Sequence, residues 1–253
     1  MANPATSICI PVYNGADSIE GTLKSAFNQQ EPSHEVILVD NASTDNTLEI
    51  ASRFTTQGLL IHKNPENIGF NSNFNRCIEL ATGKYILILS ADDLLYPNAI
   101  AELQKSLEDS PDSAMAFSKV DLINTRETII GEQGADYSTG VITGKEFLED
   151  ILLKAYSAVL NTTLFNRERL KSVEGFKNGF VNSDFLAVAR LASQWNINYL
   201  DKTVGAYRVT PNSTGETLLY SRPDLLEQKI TMVDELFLHL PPELHHLKQP
   251  CIN

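Results

Sequence analysis

Apolar and polar positions alternate between two periods along the first 120 residues. The run Ser7-Ile8-Cys9-Ile10-Pro11-Val12 reads as a strand, and residues 19–27 follow with apolar positions three and four apart, a helical period. Val36-Ile37-Leu38-Val39 predicts a second strand, and residues 44–54 a helix with Ser43 or Thr44 as its N-cap. Leu59-Leu60-Ile61 predicts a third strand, and residues 71–80 a helix closed by Gly83. The run 85–89 is apolar without a polar break, which predicts a central strand covered on both faces. Residues 99–107 predict a helix entered through Pro97, and Ala114-Met115-Ala116-Phe117 opens a fifth strand. Strands alternating with helices imply an α/β fold with a mostly parallel, doubly wound sheet. Ligands of such sheets bind at the carboxyl ends of the strands. That rule selects Tyr13-Asn14, Asp40-Asn41 and Ser90-Ala91-Asp92-Asp93.

The second half is less regular. Residues 125–144 read as loop or edge hairpin, 145–156 and 183–193 as helices, and 196–200 as a short strand. Residues 223–240 predict a terminal helix stopped by Pro241-Pro242. There is no internal repeat or low-complexity linker, so this half is expected to complete the same domain and wall one side of the pocket.

Composition narrows the partners. With 32 acidic against 20 basic residues, the formal net charge is −12, a surface that repels a phosphate backbone and excludes general nucleic-acid binding. A small anionic substrate therefore needs a cation or a helix N-terminus. The three cysteines, Cys9, Cys77 and Cys251, have neither disulfide nor zinc spacing. They suit a reducing compartment, and the N-terminus carries no signal pattern, so a cytoplasmic protein is expected. The sequons at Asn41, Asn161 and Asn212 then carry no glycan.

Two clusters bear chemistry. Adjacent carboxylates Asp92-Asp93 after a buried strand repel each other unless a hard divalent cation such as magnesium or manganese sits between them and a ligand. The competing reading is an N-cap and solvated turn into the next helix, and on this pair alone that reading is the commoner one. In Asp40-Asn41-Ala42-Ser43-Thr44-Asp45, Asp40 suits a ribose hydroxyl or base N–H, and Asp45 a capping role.

Ile10-Pro11-Val12-Tyr13-Asn14, Val39 to Asp45, Asn67-Ile68-Gly69 and Ser90-Ala91-Asp92-Asp93, in that order and spacing, resemble family 2 glycosyltransferases. The resemblance is close over about the first 120 residues and looser beyond. It implies a GT-A fold, a Rossmann-like mostly parallel sheet flanked by helices, in a single domain with a C-terminal helical extension. By the same likeness residues 1–220 form the glycosyltransferase domain, with 1–120 binding nucleotide and 121–220 binding acceptor, and 221–253 are the C-terminal helix and tail. Pro11, Tyr13, Asn14, Asp40 and Asn67 then line the nucleotide-sugar pocket, with Asp93 as a second ligand or sugar-hydroxyl acceptor. Asp92 becomes the ligand of Mn2+ or Mg2+, although Ser90 stands where the family's first metal-motif acid is expected.

The resemblance also implies an inverting transfer from a nucleoside-diphosphate sugar, taken as UDP-linked, to a hydroxyl on a glycan or lipid-linked acceptor in bacterial surface-glycan assembly. A lipid-linked acceptor implies peripheral association with the inner face of the membrane. The general base falls on Asp184, in Asn182-Ser183-Asp184-Phe185-Leu186, with Ser183 where a Glu is usual; without the resemblance Asp184 reads as a first-turn helix acid. In the closing segment 207–213, Arg208 is either a diphosphate partner or a solvated loop residue, and Thr210 replaces a frequent His. The departures at Ser90, Ser183 and Thr210 motivate the alternative of a catalytically impaired nucleotide-sugar-binding module.

Other motifs carry less. Gly140-Val141-Ile142-Thr143-Gly144-Lys145 is one residue short of a phosphate loop. Asn71 and Asn75 flank Phe74, where some relatives carry Arg, so that helix is expected to pack. Trp195 reads as core, with an acceptor platform as the alternative, and His239, His245 and His246 as a solvated tail.

Overall fold

A computed structural model of the chain describes residues 4–31, 33–154, 158–210, 225–238, 240 and 242–248. Pro211, Asn212 and Ser213 of the closing segment, His239, Pro241 and Cys251 lie outside the described residues.

The first half follows the period reading: β1 (Thr6–Val12), α1 (Ile19–Phe27), β2 (His34–Asp40), α2 (Thr47–Ser52), β3 (Leu60–Lys63), α3 (Phe70–Leu80) and β4 (Tyr85–Ile88). A two-residue strand β5 (Leu94–Leu95) precedes α4 (Ala99–Glu108). Helix α2 starts later than predicted: Asp45 accepts from the Thr47 amide at 3.0 Å, so this Asx-type bond keeps residues 44–46 outside the helix. The second half comprises β6 (Ser113–Ile123), β7 (Ile129–Gln133), β8 (Gly140–Ile142), α5 (Gly144–Lys154), β9 (Thr163–Asn166), α6 (Arg167–Ser172), α7 (Ser183–Ala192), β10 (Asn196–Arg208) and α8 (Leu225–Phe237).

The ten strands form one sheet in the order β3-β2-β1-β4-β9-β6-β10-β5, with β7 added to β6 and β8 to β10. Strands β3, β2, β1 and β4 are mutually parallel, and β9 runs antiparallel between β4 and β6. Strand β9, too short to show a period, was not predicted, nor were β5 and α6. Strand β10 runs 13 residues rather than the short segment expected, because bulges near Leu200 and Thr203 carry it along β6 through polar positions.

Alternate residues of the central strands enter two cores. Ile8, Ile10, Val36, Leu38 and Leu87 pack with Ile19 and Leu23 of α1 and Ile100 and Leu103 of α4. Cys9, Ile37, Ile86 and Ile88 pack with Cys77 of α3, Phe147 of α5, Leu186 of α7 and Val233 of α8. Both faces are covered, as the unbroken apolar run of β4 requires. Leu240 and Leu244 are buried in the second core, so this segment docks, while His245 and His246 on it are exposed as expected, His245 bonding the Leu240 carbonyl at 3.0 Å. Trp195 packs on the same core with the Arg169 guanidinium 5.4 Å from its ring centroid. Gly144, in the near-miss phosphate loop, faces the carbonyls of Ala192 and Trp195; a Cβ there would stand 2.1 and 2.3 Å from their oxygens. Its role is close helix packing.

Candidate active site

The carboxyl ends of β1, β2 and β4 meet at one rim of the sheet. Val12 pairs with Asp40, and Leu89, just beyond β4, donates its amide to Cys9 O at 2.9 Å. Pro11 is buried inside this paired strand. Cys9 O accepts from the β4 side and Val12 O accepts from Asn41 on the β2 side at 2.8 Å. By alternation the missing N–H of Pro11 faces the β4 side, beyond the last β1–β4 pair, Cys9↔Ile88. Proline therefore breaks no pair of the ladder and stands where β1 and β4 stop pairing.

The loops after β1 and β2 are zipped together. Asn14 N donates to Ser43 Oγ at 2.9 Å, Gly15 N to Thr47 Oγ1 at 2.8 Å and Ala16 N to Asp45 Oδ2 at 3.0 Å, while Thr44 N donates to Asn14 Oδ1 at 2.8 Å. Asp45 is thus structural. Asp40 is fully buried, its carboxylate accepting from Ser43 N at 3.2 and 3.3 Å. Tyr13 stands beside this zipper with half its surface exposed (51%). Asn14 and Ala42 hold positive φ, 52° and 63°.

Asparagines join the third loop. Asn41 donates to Asn67 Oδ1 at 2.9 Å and accepts from Ile68 N and from Asn64, each at 3.0 Å. Asn64 also donates to Asn73 Oδ1 at 2.8 Å, and Asn73 to Val39 O at 3.0 Å. Asn41, Asn64 and Asn73 are all buried, so each bond replaces solvation that is otherwise lost. Asn67 itself is exposed at the rim. Sequence reasoning missed Asn64 and Asn73. The available signal was the spacing Asn71-Asn73-Asn75, two apart on a helix, which aims amides in different directions rather than along one face.

The Asp92-Asp93 turn is gripped from two elements. From α1, Ser18 Oγ and Thr22 Oγ1 each donate to Ala91 O at 2.9 Å, and Thr22 also reaches Asp93 O at 2.9 Å. From β10, Arg208 N donates to Asp93 Oδ1 at 2.8 Å and Arg208 Nε to Asp92 O at 2.8 Å. The remaining Arg208 nitrogens reach Asn124 O at 3.2 Å and Glu127 Oε1 at 3.0 Å. Arg208 is therefore not a solvated loop residue; it is 8% exposed and ties the turn to the β6–β7 connection. The turn leads into β5, and α4 starts only at Ala99, so neither aspartate caps a helix.

Burial raises Asp93 well above the usual carboxylate range and Asp92 beside it raises it further, against the Arg208 amide and the Ser90 hydroxyl. Burial also raises Asp92, offset by its own amide and by Arg208. Among the described residues no three His, Cys, Asp or Glu side chains cluster as a self-sufficient metal cage. With Asp93 engaged by Arg208, the donor set fits a metal held by Asp92 that takes its other oxygens from a ligand.

Asp184 lies in the first turn of α7, partly exposed. Desolvation raises its carboxyl above the ordinary value, and the amides of Phe185 and Asp184 itself oppose the shift. Its helix joins the other loops through α3: Ser183 Oγ donates to Asn71 Oδ1, and Asn71 Nδ2 donates to Lys177 O at 3.0 Å and Phe180 O at 2.8 Å. Asn75 holds both polar groups of Phe176, and Phe74 packs edge-on against the Phe176 ring at 5.3 Å, so α3 packs as expected.

A mostly parallel curled sheet flanked by helices, with an aspartate turn at its carboxyl rim, is the GT-A fold. Residues 7–168 match glycosyl transferase family 2, and the chain belongs to that family. It is similar to the uncharacterized glycosyltransferase YibD of Escherichia coli K12, 35% identical over 147 residues, 56% of this chain and 42% of that protein. It is also similar to the putative teichuronic acid biosynthesis glycosyltransferase TuaG of Bacillus subtilis 168, 27% identical over 213 residues, 83% of this chain and 81% of TuaG. The chain spans 36–42% of the length of the first curated relatives it matches, YibD among them. Among solved structures, S. aureus TarS 1–349 in complex with UDP-GlcNAc superposes with a TM-score of 0.77 at 21% identity, covering 97% of this chain and 70% of that one. The mannosyltransferase PcManGT of Pyrobaculum calidifontis, in complex with GDP-Man and Mn2+, gives 0.70 at 20% identity, covering 99% of this chain and 69% of that one. No helix among the described residues is long and apolar enough to cross a membrane.

Proposed function

We propose that this chain is the catalytic core of an inverting glycosyltransferase that takes a sugar from a UDP-linked donor and passes it to a hydroxyl of a surface-glycan acceptor. The carrying observation is the convergence, at one sheet rim, of the Asp40 loop, the Asn67 loop and the Asp92-Asp93 turn. Tyr13, beside the zipper of Asn14 with Ser43 and Thr44, offers an exposed ring for the base and Asn67 a polar group for the ribose, while Asp40, buried below, holds the Ser43 amide and so shapes the base and ribose site. Pro11 stands at that rim, where β1 and β4 stop pairing.

Asp92 is the residue that would hold Mn2+ or Mg2+, and such a cation would supply Lewis-acid neutralisation of the diphosphate leaving group. Arg208 keeps the turn in place and adds a buried positive charge next to Asp92, favouring the same anion. Asp93, expected as a second ligand or sugar-hydroxyl acceptor, is buried and keeps the shape of the turn through its bond to Arg208. Asp184 removes the proton of the acceptor hydroxyl as that oxygen attacks the anomeric carbon. A raised pKa makes it a stronger base at neutral pH than an ordinary carboxylate. One base, with no second nucleophile assigned among the described residues, supports a single displacement and hence inversion.

The printed name of TuaG, a putative teichuronic acid biosynthesis glycosyltransferase, supports an acceptor in a bacterial envelope polymer, met at the cytoplasmic membrane face. The test is calorimetric titration of UDP, dTDP and GDP, each with and without manganese. Tight UDP binding that needs the metal is expected. No binding of any nucleotide to the folded protein overturns the donor-site reading. Metal-dependent binding without turnover favours the impaired-module alternative.

A further inference from the structure

The first turn of α7 lacks the usual side-chain cap. Its N-cap residue, Asn182, makes no side-chain capping bond. Instead the first residue, Ser183, 1% exposed, donates its hydroxyl to Asn71 on α3, 112 positions away. The Asn71 side chain, itself 5% exposed, spends its whole amide on this segment: the oxygen on Ser183 and the nitrogen on the carbonyls of Lys177 and Phe180. Two residues on, Asn73 binds the opposite wall, through Val39 O and Asn64, which leads to Asn41 and the Asn67 loop. One turn of α3 therefore grips the donor loops with one asparagine and the start of α7 with another.

We propose that Asn71 and Ser183 are positioning residues that set Asp184 at its working distance from the donor. The inference rests on the reading of Asp184 as the base. It also assigns a role to Ser183, which stands where the family resemblance leads one to expect Glu. A purely scaffolding role is distinguishable, because Asn75 grips the same loop with two hydrogen bonds but at Phe176, eight residues before Asp184. Loss of Asn75 loosens the loop far from the carboxylate, whereas loss of Asn71 frees the carboxylate's own turn. Misplacing a reacting group by about 1 Å costs on the order of 10²-fold in rate with little effect on ground-state binding.

The experiment compares Asn71→Ala, Ser183→Ala, Asn75→Ala and Asp184→Asn in the full chain. The readout is UDP release from UDP-glucose or UDP-GlcNAc with manganese, water acting as acceptor, alongside donor affinity by calorimetry and melting temperature. The expected result is a kcat roughly 10- to 100-fold lower for Asn71→Ala and Ser183→Ala, with donor affinity within about twofold. Asn75→Ala should lose comparable stability to Asn71→Ala while keeping kcat within about threefold. Unchanged kcat in Ser183→Ala, or an equal kcat loss in Asn75→Ala, overturns the inference. If Asn71→Ala does not fold, Ser183→Ala, which deletes one hydroxyl, decides the matter alone. If Asp184→Asn retains full turnover, or the unaltered chain releases no UDP, the base reading falls and takes this inference with it. A dead Asp184→Asn beside an unaffected Ser183→Ala sinks the positioning role alone.

Discussion

The Asp92-Asp93 turn is clamped by Ser18 and Thr22 from α1 and by Arg208 from β10, with most of the bonds made to its backbone. The first turn of α7, carrying Asp184, is instead tied across the molecule by a single asparagine. Redundant backbone clamps preorganise the end of the site that meets diphosphate, where charge must be stabilised in a fixed place. A single long-range tie suffices where one proton is transferred, and it leaves that end more sensitive to one substitution. Both ends share one electrostatic feature: burial raises Asp92, Asp93 and Asp184 alike, and in each the charged form is disfavoured until a ligand or a task stabilises it.

The largest expected effect separates the two ends outright. Asp184→Asn should lower transfer by about 10²- to 10⁴-fold while leaving metal-dependent donor binding intact, measured by turnover and calorimetry. Unchanged transfer would remove Asp184 from the mechanism. Next comes Asp92→Ala, which should abolish the manganese-dependent part of donor binding, a loss of several kcal/mol at most, while the clamps hold the turn. Manganese stimulation that survives this change would place the metal elsewhere.

A third prediction concerns pH. Because burial raises Asp184, kcat should climb with pH along a limb whose midpoint lies above the ordinary aspartate value of 3.8, and Asp184→Asn should erase that limb. The stability sign runs the other way. A carboxyl whose folded pKa lies above its unfolded value favours the fold most below the unfolded pKa, and that contribution is lost as pH rises through the folded pKa. Asp184→Asn should therefore raise the melting temperature at neutral pH, and more so than at pH 4. The smallest effect belongs to Ala42, held at φ 63° in the donor loop. Ala42→Gly relieves roughly 1–2 kcal/mol of left-handed strain and returns part of it as chain entropy, for a net gain of a few tenths to about 1 kcal/mol. Denaturant unfolding checks this; a loss of stability would mean the Ala42 methyl packs productively.

Legibility in the sequence followed the density of local signal. Strands β1 and β2 and the flanking helices were readable because each is long enough to show its period, and β4, only four residues, because it sits in an unbroken apolar run from Tyr85 to Leu89; the strand-end rule then reached Asp40 and Asp92 without any family. Asp184 was reached only through the resemblance, since a first-turn acid on a helix is ordinary. Strands β5 and β9 were unreadable because two and four residues show no period. Arg208 was ambiguous, because nothing in Tyr207-Arg208-Val209 says that its partners are Asp92, Asn124 and Glu127.

The sequence by itself determined the alternating α/β order, the two-sided burial of the central strands and the placement of carboxylates where those strands end. These follow from side-chain period and chain direction, which are local properties. Only the tertiary structure decided which groups hold those carboxylates in place. The Arg208 clamp and the Ser183–Asn71 tie join residues more than 110 positions apart, and hydrogen bonds at that separation exist only once the sheet has brought β10 and α3 to the same rim.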